Sequence, residues 1–450
     1  MIRRWREIER WIEDEEAKHA GTYQEHPLSD FIARKIQAIN REARPLDALN
    51  VIAKISFGGE LHIRGEEEKR GYKGPLFEAL PGDLVISKIR VAQGSLCVVP
   101  DSLDHLAVSA EYPVYAVDHG KVRAEYLRLV IRTSAFQKRV SRLRSGNTTK
   151  ARIRPAQFEA LRIPIPTLDE QDALVAAYTD ALARAAVLEQ EAEAIERAAW
   201  QAFEAALGVS PPPPLPDRPV FVARFKDVER WSHEGILRAQ TQSPIAAGSV
   251  TLTPLGQMAK VSYGIQKSPA NRPGMHARPY LRVANVQRGV LDLREIKYIN
   301  VPDTDMQKLR LEVGDVLLCE GNSPDLVGRG AIWRGEIADC VHQNHVLRVR
   351  VDRSHLLPEY VLAVINSSHG QAYFRSKAKR TTNLASINSK EVASLPVPAI
   401  PVNRQQALLT DLNTQMQAAQ AKSAEAAALR QSAWAAFEAA LFSPAEESRP

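Results

Sequence analysis

The sequence predicts an α+β protein with two β-rich domains in tandem, each followed by a long helix. The two helices are expected to pair as an antiparallel coiled coil with pseudo-twofold symmetry. The first observation is a repeat: residues 198–207 read AAWQAFEAAL and residues 432–441 read SAWAAFEAAL. The second is apolar spacing. From Leu174 to Ala206, apolar residues recur at alternating intervals of four and three, which is the heptad pattern of a coiled-coil seam.

The repeat extends backwards from these helices at a constant offset of 234 residues. The matched pairs include Gln171 with Gln405, Pro164 with Pro398 and Tyr126 with Tyr360. Such a repeat is too long for a solenoid unit and describes two similar halves. Nearer the N-terminus, GDLVIS at 82–87 matches GDVLLC at 314–319, and IAKISFGG at 52–59 is aligned with MAKVSYGI at 258–265. The offset is 206 for this last pair (258 − 52) and 234 nearer the helices. The second domain is therefore expected to carry additional residues between these points.

The domain boundaries follow changes in local composition. Short apolar runs separated by Gly, Pro and Asp indicate strands, whereas the charged N-terminus has apolar residues at helical spacing. The run PPPPLP at 211–216 ends the first long helix and forms a stiff spacer. The predicted segments are a helical N-terminal extension (1–45), a β-rich domain (46–166), the central long helix (167–208), a Pro-rich linker (209–218), a second β-rich domain (219–400), the C-terminal long helix (401–442) and a tail (443–450).

Bulk properties restrict the class of protein. The net charge of +6 is a modest bias towards polyanionic partners such as nucleic acid. No apolar run approaches the roughly 18 residues of a membrane span, so no membrane partner is expected. The three cysteines have no metal-ligand spacing, which indicates a reducing compartment. The protein is therefore expected in the cytoplasm.

Catalytic motifs are missing from the sequence. It contains no P-loop, no glycine-rich AdoMet loop and no Asn/Asp-Pro-Pro-aromatic motif. His342 and His345 lie three apart on a strand-like segment, where they would face opposite sides, so a metal site is not expected. The chain therefore reads as a binding protein without its own cofactor or metal. A coiled-coil scaffold that binds other proteins, with no specific DNA binding, is the alternative interpretation.

Several segments resemble the specificity subunit of type I restriction–modification enzymes. They are GDLVISKI and GDVLLCEGN, EYLRLVI and EYVLAVI, and GNTTKARIRPAQFEALRIPIPTLDEQ with RTTNLASINSKEVASLPVPAIPVNRQQ. In addition, TPLGQMAKVSYGI followed by YLRVANVQRGVLDLREIKYI is similar to the start of a target-recognition domain. The resemblance covers residues 46–442. The N-terminal extension is longer than this layout predicts, and the first recognition domain is shorter.

The resemblance implies that this chain is a non-catalytic subunit, which recognises DNA while partner subunits carry out catalysis. Each β-rich domain would be a target-recognition domain that reads one half of a bipartite site in double-stranded DNA. The paired helices would space the two halves and dock two methyltransferase subunits, with restriction subunits as a further partner in a system that cleaves. AdoMet, ATP and Mg would then belong to the partner subunits.

Candidate DNA-binding residues are basic or amide side chains near the polar loops of each half, because phosphates bind Lys and Arg while base edges bind Arg and Asn. The first-half candidates are Lys88, Arg90, Lys138, Arg139, Arg142, Arg144, Asn147, Lys150, Arg152 and Arg154. The second-half candidates are Arg282, Asn285, Asn322, Asn344, Arg375, Lys377, Lys379, Arg380, Thr381 and Thr382. Gln93 and Arg64 are weaker candidates for base contact in the first half.

The recurrence of such residues at an offset of 234 favours DNA binding over an ordinary solvated surface, which is the usual role of a single basic cluster. Four aromatic residues, Trp200, Phe203, Trp434 and Phe437, are expected to pack the helix ends or to form a methyltransferase interface.

Overall fold

The computed structural model describes residues 22–70, 72–142, 153–209, 250–322, 327–380 and 385–443, and also residues 220, 222, 224 and 236. The contacts divide the chain into two compact units. Unit 1 comprises Met1–Glu189 and Ser423–Pro450, and unit 2 comprises Gln190–Lys422. Each unit therefore combines one β-rich domain with one part of each long helix.

Unit 1 contains two four-stranded sheets and a strand pair among its described residues. Its strands are β1 (Glu25–Pro27), β2 (Ile32–Lys35), β3 (Asn50–Ile55), β4 (Leu61–Ile63), β5 (Leu76–Ala79), β6 (Leu84–Ile86), β7 (Leu96–Val98), β8 (Leu106–Ser109), β9 (Val114–Val117) and β10 (Arg162–Pro164). Its helices are α1 (Glu66–Arg70), α2 (Ala124–Val130), α3 (Ser134–Arg142), α4 (Pro155–Glu159) and the first part of α5 (Leu168–Ala206). The sheets have the orders β2-β9-β6-β7 and β4-β3-β8-β5, and β1 pairs with β10.

Unit 2 repeats this plan with additional short strands. Its strands are β11 (Leu252–Pro254), β12 (Ala259–Ser262), β13 (Ala277–Leu281), β14 (Lys297–Asn300), β15 (Val316–Cys319), β16 (Gly321–Asn322), β17 (Gly330–Ile332), β18 (Val341–His342), β19 (Val346–Val351), β20 (Lys379–Arg380), β21 (Ala385–Ser386) and β22 (Pro396–Pro398). Its helices are α6 (Asp303–Leu309), α7 (Pro358–Asn366), α8 (Ser368–Lys377), α9 (Ser389–Ala393) and the first part of α10 (Val402–Phe442). The sheets have the orders β12-β19-β15-β17, β14-β13-β18 and β16-β21-β20, and β11 pairs with β22.

The central four-stranded sheet of each unit is covered on both faces. Leu84 and Ile86 of β6 belong to a cluster with residues of α2, α3 and α4, whereas Val85 belongs to the cluster shared with the second sheet. β15 alternates in the same way, since Val316 and Leu317 lie in different clusters. Successive side chains of a strand point to opposite faces, so a strand covered on both faces must be apolar throughout. This explains the continuous runs LVI and VLLC.

Residues 22–45 belong to the first β-rich domain, and the prediction of a helical extension over 1–45 is wrong for this stretch. β1 pairs with β10 and β2 pairs with β9. Pro27 and Pro45 also interrupt any helix here. The strands have three and four residues, too few for a periodic signal, and their partners lie far away in the sequence. Residues 1–21 lie outside the described part of the chain.

The structural repeat also corrects the alignment of the two domain starts. Leu28 N donates to Leu161 O (2.8 Å), and Leu255 N donates in the same way to Leu395 O (2.9 Å). The offset at this point is 227 (255 − 28), so MAKVSYGI is equivalent to FIARKIQA at 31–38. IAKISFGG instead lies in the β3–β4 hairpin of the other sheet. Short apolar alternations look alike in any strand, and only the pairing of the backbone distinguishes them.

The two long helices pack against each other within each unit, as predicted. In unit 1 the Tyr178 ring lies 5.7 Å from the Trp434 ring, and Glu189 accepts a hydrogen bond from Arg430 Nη2 (2.7 Å). In unit 2, Glu191 pairs with Lys422 (2.5 Å). Within unit 1 the partner's number falls as the number along α5 rises, so the pairing is antiparallel. The predicted α+β fold class is therefore confirmed. None of the described helices is long and apolar enough to span a membrane.

Each unit binds the last turns of one long helix. In unit 1, the Phe437 ring of α10 lies 6.3 Å from the Tyr126 ring, and Glu438 accepts a hydrogen bond from the backbone of Ser134 at the start of α3. In unit 2, Phe203 and Glu204 of α5 make the same contacts with α7 and α8, and each residue is related to its counterpart in unit 1 by the offset of 234. A carboxylate at a helix N-terminus is favoured because it accepts from otherwise unpaired N–H groups.

A second repeated contact joins each domain to the start of a long helix. The Tyr126 hydroxyl donates to Pro164 O (2.8 Å), and the Tyr360 hydroxyl donates to Pro398 O (2.9 Å). Both tyrosines are fully buried, and burial raises the pKa of each hydroxyl. The hydroxyls therefore stay neutral and act as permanent donors.

A histidine lies in the core of unit 2. His342 is completely buried, and its Nδ1 lies 2.7 Å from Val346 O. Burial lowers the pKa of His342 to about 4. The backbone beside it is fixed by Gly264, since a Cβ at this glycine would lie 1.9 Å from His342 O. The imidazole is thus a neutral core group and is unsuited to a metal site shared with His345.

We expect Tyr126→Phe and Tyr360→Phe each to destabilise the protein by about 1 kcal/mol, because each leaves a buried proline carbonyl without its donor. The measurement is thermal unfolding of the full chain, with Tyr298→Phe at an exposed position as the matched control. Equal melting temperatures for all three variants would contradict this role of the buried hydroxyls.

We expect the stability of unit 2 to fall as the pH decreases from about 6.5 to about 4. In this window the unfolded histidine binds a proton that folded His342 does not, so protonation favours unfolding by up to about 3 kcal/mol. Urea unfolding at pH 7 and pH 5 should show a smaller pH dependence for His342→Gln than for the wild type. The exposed control, His355→Gln, should behave like the wild type, and an unchanged pH dependence in His342→Gln would refute the assignment.

Candidate nucleic-acid interface

The candidate site of each unit is placed by a rigid turn before the central strand. Gly82 and Gly314 both have a positive φ, at 83° and 94°, a conformation that favours glycine. The side chain of the next residue closes the turn: Asp83 accepts a hydrogen bond from Leu80 N, and Asp315 accepts one from Glu312 N, both at 2.8 Å. β6 and β15 therefore each begin after the same kind of turn, so the C-terminal ends of the two strands are equivalent positions.

In unit 1, Ile153 lies at the far end of β6. Lys88 follows β6; its N–H donates to Glu111 O (3.1 Å), and its carbonyl accepts from Ile153 N (3.3 Å). Ile153 follows residues 143–152, which lie outside the described part of the chain and include four of the candidates. Residues 88–95 and 153–154 are called the β6 site below.

Unit 2 repeats this arrangement at the end of β15. Glu320 N donates to His345 O (2.9 Å), and Ile387 N donates to Glu320 O (2.8 Å). The hairpin of β20 and β21 pairs with β16, which follows directly after Glu320. Residues 320–322, 343–345 and 385–389 are called the β15 site. The structure thus places Ile153 and Ile387, which the offset of 234 relates, at equivalent strand ends.

The basic candidates of unit 1 fall into two groups. Arg90, Lys138, Arg142 and Arg154 are exposed, whereas Lys88 is half-buried and its Nζ donates to Ala110 O (2.6 Å). Four further candidates lie outside the described residues: Arg144, Asn147, Lys150 and Arg152.

Arg139 is held inside unit 1. Its guanidinium donates to Arg162 O and to a carboxylate oxygen of Glu25, each at 2.6 Å. It joins β1 and β10 to α3, and this internal pairing argues against a phosphate contact by Arg139.

The candidates of unit 2 near the β15 site are only partly described. Arg375 and Lys377 are exposed on α8, and half-buried Asn344 is fixed by its backbone N–H, which donates to Ile265 O (2.9 Å). Thr381 and Thr382 lie outside the described residues, as do the side chains of Asn322, Lys379 and Arg380.

Two predicted base-reading residues of unit 2 make hydrogen bonds within the unit. Asn285 is buried; its Oδ1 accepts from Arg282 N (2.9 Å), and its amide donates to Asp292 O (2.8 Å). Arg282 donates to Glu295 O (3.1 Å) and forms an ion pair with the Glu295 carboxylate. Both side chains close the loop between β13 and β14. A base contact by Asn285 would require breaking these bonds, so the structure argues against that role.

The sequence analysis missed the pair Glu320 and His345. His345 Nδ1 lies 2.6 Å from a Glu320 carboxylate oxygen, and His345 is exposed. Glu320 occupies the position equivalent to Lys88 at the offset of 232, so the two sites carry opposite charge at one backbone position. Carboxylates accept hydrogen bonds from the cytosine amino group. The aligned segments GDLVISK and GDVLLCE show this exchange of Lys for Glu, but the candidates were selected for positive charge and amide groups, which excludes a glutamate.

The four aromatic candidates pack the helix ends. Phe203 and Phe437 are buried in the cores of unit 2 and unit 1. Trp200 lies 5.9 Å from the Phe203 ring and Trp434 lies 5.8 Å from the Phe437 ring, and both tryptophans are half-buried. Only the tryptophans therefore present surface to a partner.

Comparisons with known proteins agree with this architecture. The type I restriction enzyme EcoKI specificity subunit of Escherichia coli is 23% identical over 72% of this chain and 66% of its own length. The StySPI specificity subunit of Salmonella potsdam is 23% identical over 72% of this chain and 65% of its own length. The aligned parts thus span slightly under two thirds of these relatives. No protein-family model matches the chain.

A solved chain has a similar fold. It comes from a structure that concerns complex assembly and conformational transition of the type I restriction–modification system. It is 16% identical, covers 93% of this chain and 97% of its own length, and has a TM-score of 0.56. At this identity the likeness concerns the fold alone. Together with the curated relatives, it confirms the predicted resemblance, and the chain is a relative of the specificity subunits of type I restriction–modification enzymes.

Proposed function

We propose that the chain is the sequence-specific DNA-binding subunit of a type I restriction–modification complex and reads a bipartite site in double-stranded DNA. The observation that carries the proposal is the pair of equivalent strand ends, the β6 site and the β15 site, which share a backbone but differ in side chains. Lys88 and Glu320 illustrate the difference. A repeated scaffold with unlike side chains suits a target whose two halves differ in sequence.

The proposed contacts follow from charge and exposure. Exposed Arg90 and Arg154 in unit 1 and Arg375 in unit 2 would bind phosphates, which fixes each unit on the duplex without reading sequence. At the β15 site, Asn344 would hydrogen-bond adenine and Glu320 would accept from cytosine. Direct readout is thus assigned to the rigid strand ends.

The proposal extends to partners. Two methyltransferase subunits would dock on the paired helices, which would also space the two half-sites, and restriction subunits would join in a system that cleaves. AdoMet, ATP and Mg would be bound by these subunits, so this chain would act without catalysis, in the cytoplasm. Half-buried Trp200 and Trp434, at equivalent positions, are the proposed aromatic contacts for the methyltransferases.

The decisive experiment is long-read methylation mapping of a host genome with and without the gene for this chain. We expect one split motif, two short blocks separated by a fixed gap, to lose methylation when the gene is removed and to regain it on complementation. Unchanged methylation in a host with an active neighbouring methyltransferase would overturn the proposal. It would favour a coiled-coil scaffold that binds only proteins.

We expect Arg90→Ala and Arg375→Ala each to weaken binding to all DNA sequences alike, because each removes one phosphate contact. The slope of log affinity against log salt concentration should decrease in magnitude by about 1 for each substitution. Titrations of the full complex at several salt concentrations provide the measurement. Arg184→Ala, at an exposed position on α5, is the control and should leave the slope unchanged; identical slopes for all three variants would remove both arginines from the interface.

A further inference from the structure

Phe57 is an exposed aromatic residue at the tip of the β3–β4 hairpin. Its relative exposure is 58%, although large apolar residues of this unit are mostly buried. The tip is a closed turn: Gly59 N donates to Ser56 O (3.0 Å), and Ser56 N donates to Glu60 O (2.9 Å). The ring therefore projects from a tight, hydrogen-bonded loop. A single exposed apolar residue is common on protein surfaces and does not by itself indicate a function. The contacts that fix this loop are therefore needed to argue a role for Phe57.

A half-buried arginine fastens this tip to the β6 site. Arg132 Nη1 donates to Gly94 O (2.7 Å) and Phe57 O (3.3 Å), and its Nη2 donates to Leu96 O. These contacts are called the Arg132 clamp. The two loops also touch directly, since a Cβ at Gly94 would lie 2.4 Å from Phe57 O. Gly94 has a φ of 91°, so any other residue here would be strained as well as obstructed.

The clamp places Phe57 beside two exposed polar residues of the β6 site. Arg90 and Gln93 belong to the tight turn that ends at Gly94, and both are exposed. An arginine can bind a phosphate, and a glutamine can bond both N6 and N7 of adenine. An aromatic ring can pack on the methyl group of thymine, the base that pairs with adenine. The three side chains thus match the chemistry of one A·T base pair and its backbone.

We propose that Phe57 and Gln93 together read an A·T base pair in one half-site, with Phe57 contacting the thymine methyl group. This rests on the proposed function and adds a specificity-determining residue to it. Arg132 is a positioning residue, because its guanidinium bonds to carbonyl oxygens of the two loops and of β7. A rigid backbone suits readout, since a contact to a single methyl group tolerates little displacement.

The test is selection of bound DNA sequences by the full complex containing the wild type, Phe57→Ser or Leu80→Ser. Leu80 is the matched control: it is 41% exposed but lies in the turn that precedes β6, at the opposite end of that strand. We expect Phe57→Ser to lose the preference for an A·T pair at one position of one half-site and to keep the other half-site. Leu80→Ser should select the wild-type motif.

Replacing the thymine at that position by uracil removes only the methyl group. We expect this to weaken wild-type binding about fourfold, the effect of one buried methyl, and to leave Phe57→Ser binding unchanged. Arg132→Lys, which cannot span three carbonyls, should weaken the same preference without changing the salt dependence. Equal wild-type binding to thymine and uracil would overturn the inference even if a variant failed to fold.

Other outcomes separate this inference from the proposed function. If the wild type selects no split motif, the DNA-binding function itself fails. If the wild type selects a split motif and Phe57→Ser selects the same one, only the role of Phe57 fails. Loss of methyltransferase affinity in Phe57→Ser with unchanged DNA selection would assign the ring to a protein contact instead.

Discussion

The docking of the last turns of each long helix is the contact on which both units depend. Phe203 enters the main core of unit 2, and Phe437 enters the corresponding core of unit 1. The next residue in unit 2, Glu204, is also buried, and burial of a carboxylate costs free energy unless it is hydrogen-bonded. Glu204 meets this condition at the start of α8, where both the N–H and the hydroxyl of Ser368 donate to it. Each sequence repeat is consequently not a structural unit, since each unit includes part of the other repeat.

The features predicted from sequence are those with a local or repeated signal. The helix pairing was visible because the heptad seam runs through Ala181, Ala185 and Ala192, all of which are buried. The equivalence of β6 and β15 was visible because each follows a Gly-Asp turn that requires both residues. The equivalent backbone contacts of Ile153 and Ile387 were also predictable in outline, from their constant offset of 234.

The errors arose where structure depends on distant partners. β1 and β2 have three and four residues, and their partners lie more than 75 residues away, so the start of the first domain was read as a helix. Asn285 has the side chain of a base reader, but its neighbours occupy both of its N–H donors and one acceptor site of its oxygen. Arg139 carries the same charge as Lys138, but its bonds to Glu25 and Arg162 hold it inside the unit. Residue type indicates what a side chain can do, whereas its neighbours decide whether it is available.

The separation in sequence between Phe437 and the rest of the unit 1 core has a consequence for biosynthesis. That core includes Phe437 and Leu441, which are synthesised only after the whole second β-rich domain. Until then, Tyr126 and the α2–α4 surface lack their cover, although the sheets beneath them have been synthesised. This apolar surface of the first domain must therefore stay uncovered while the second domain is synthesised. A chain that stops before Phe437 would keep it exposed to solvent.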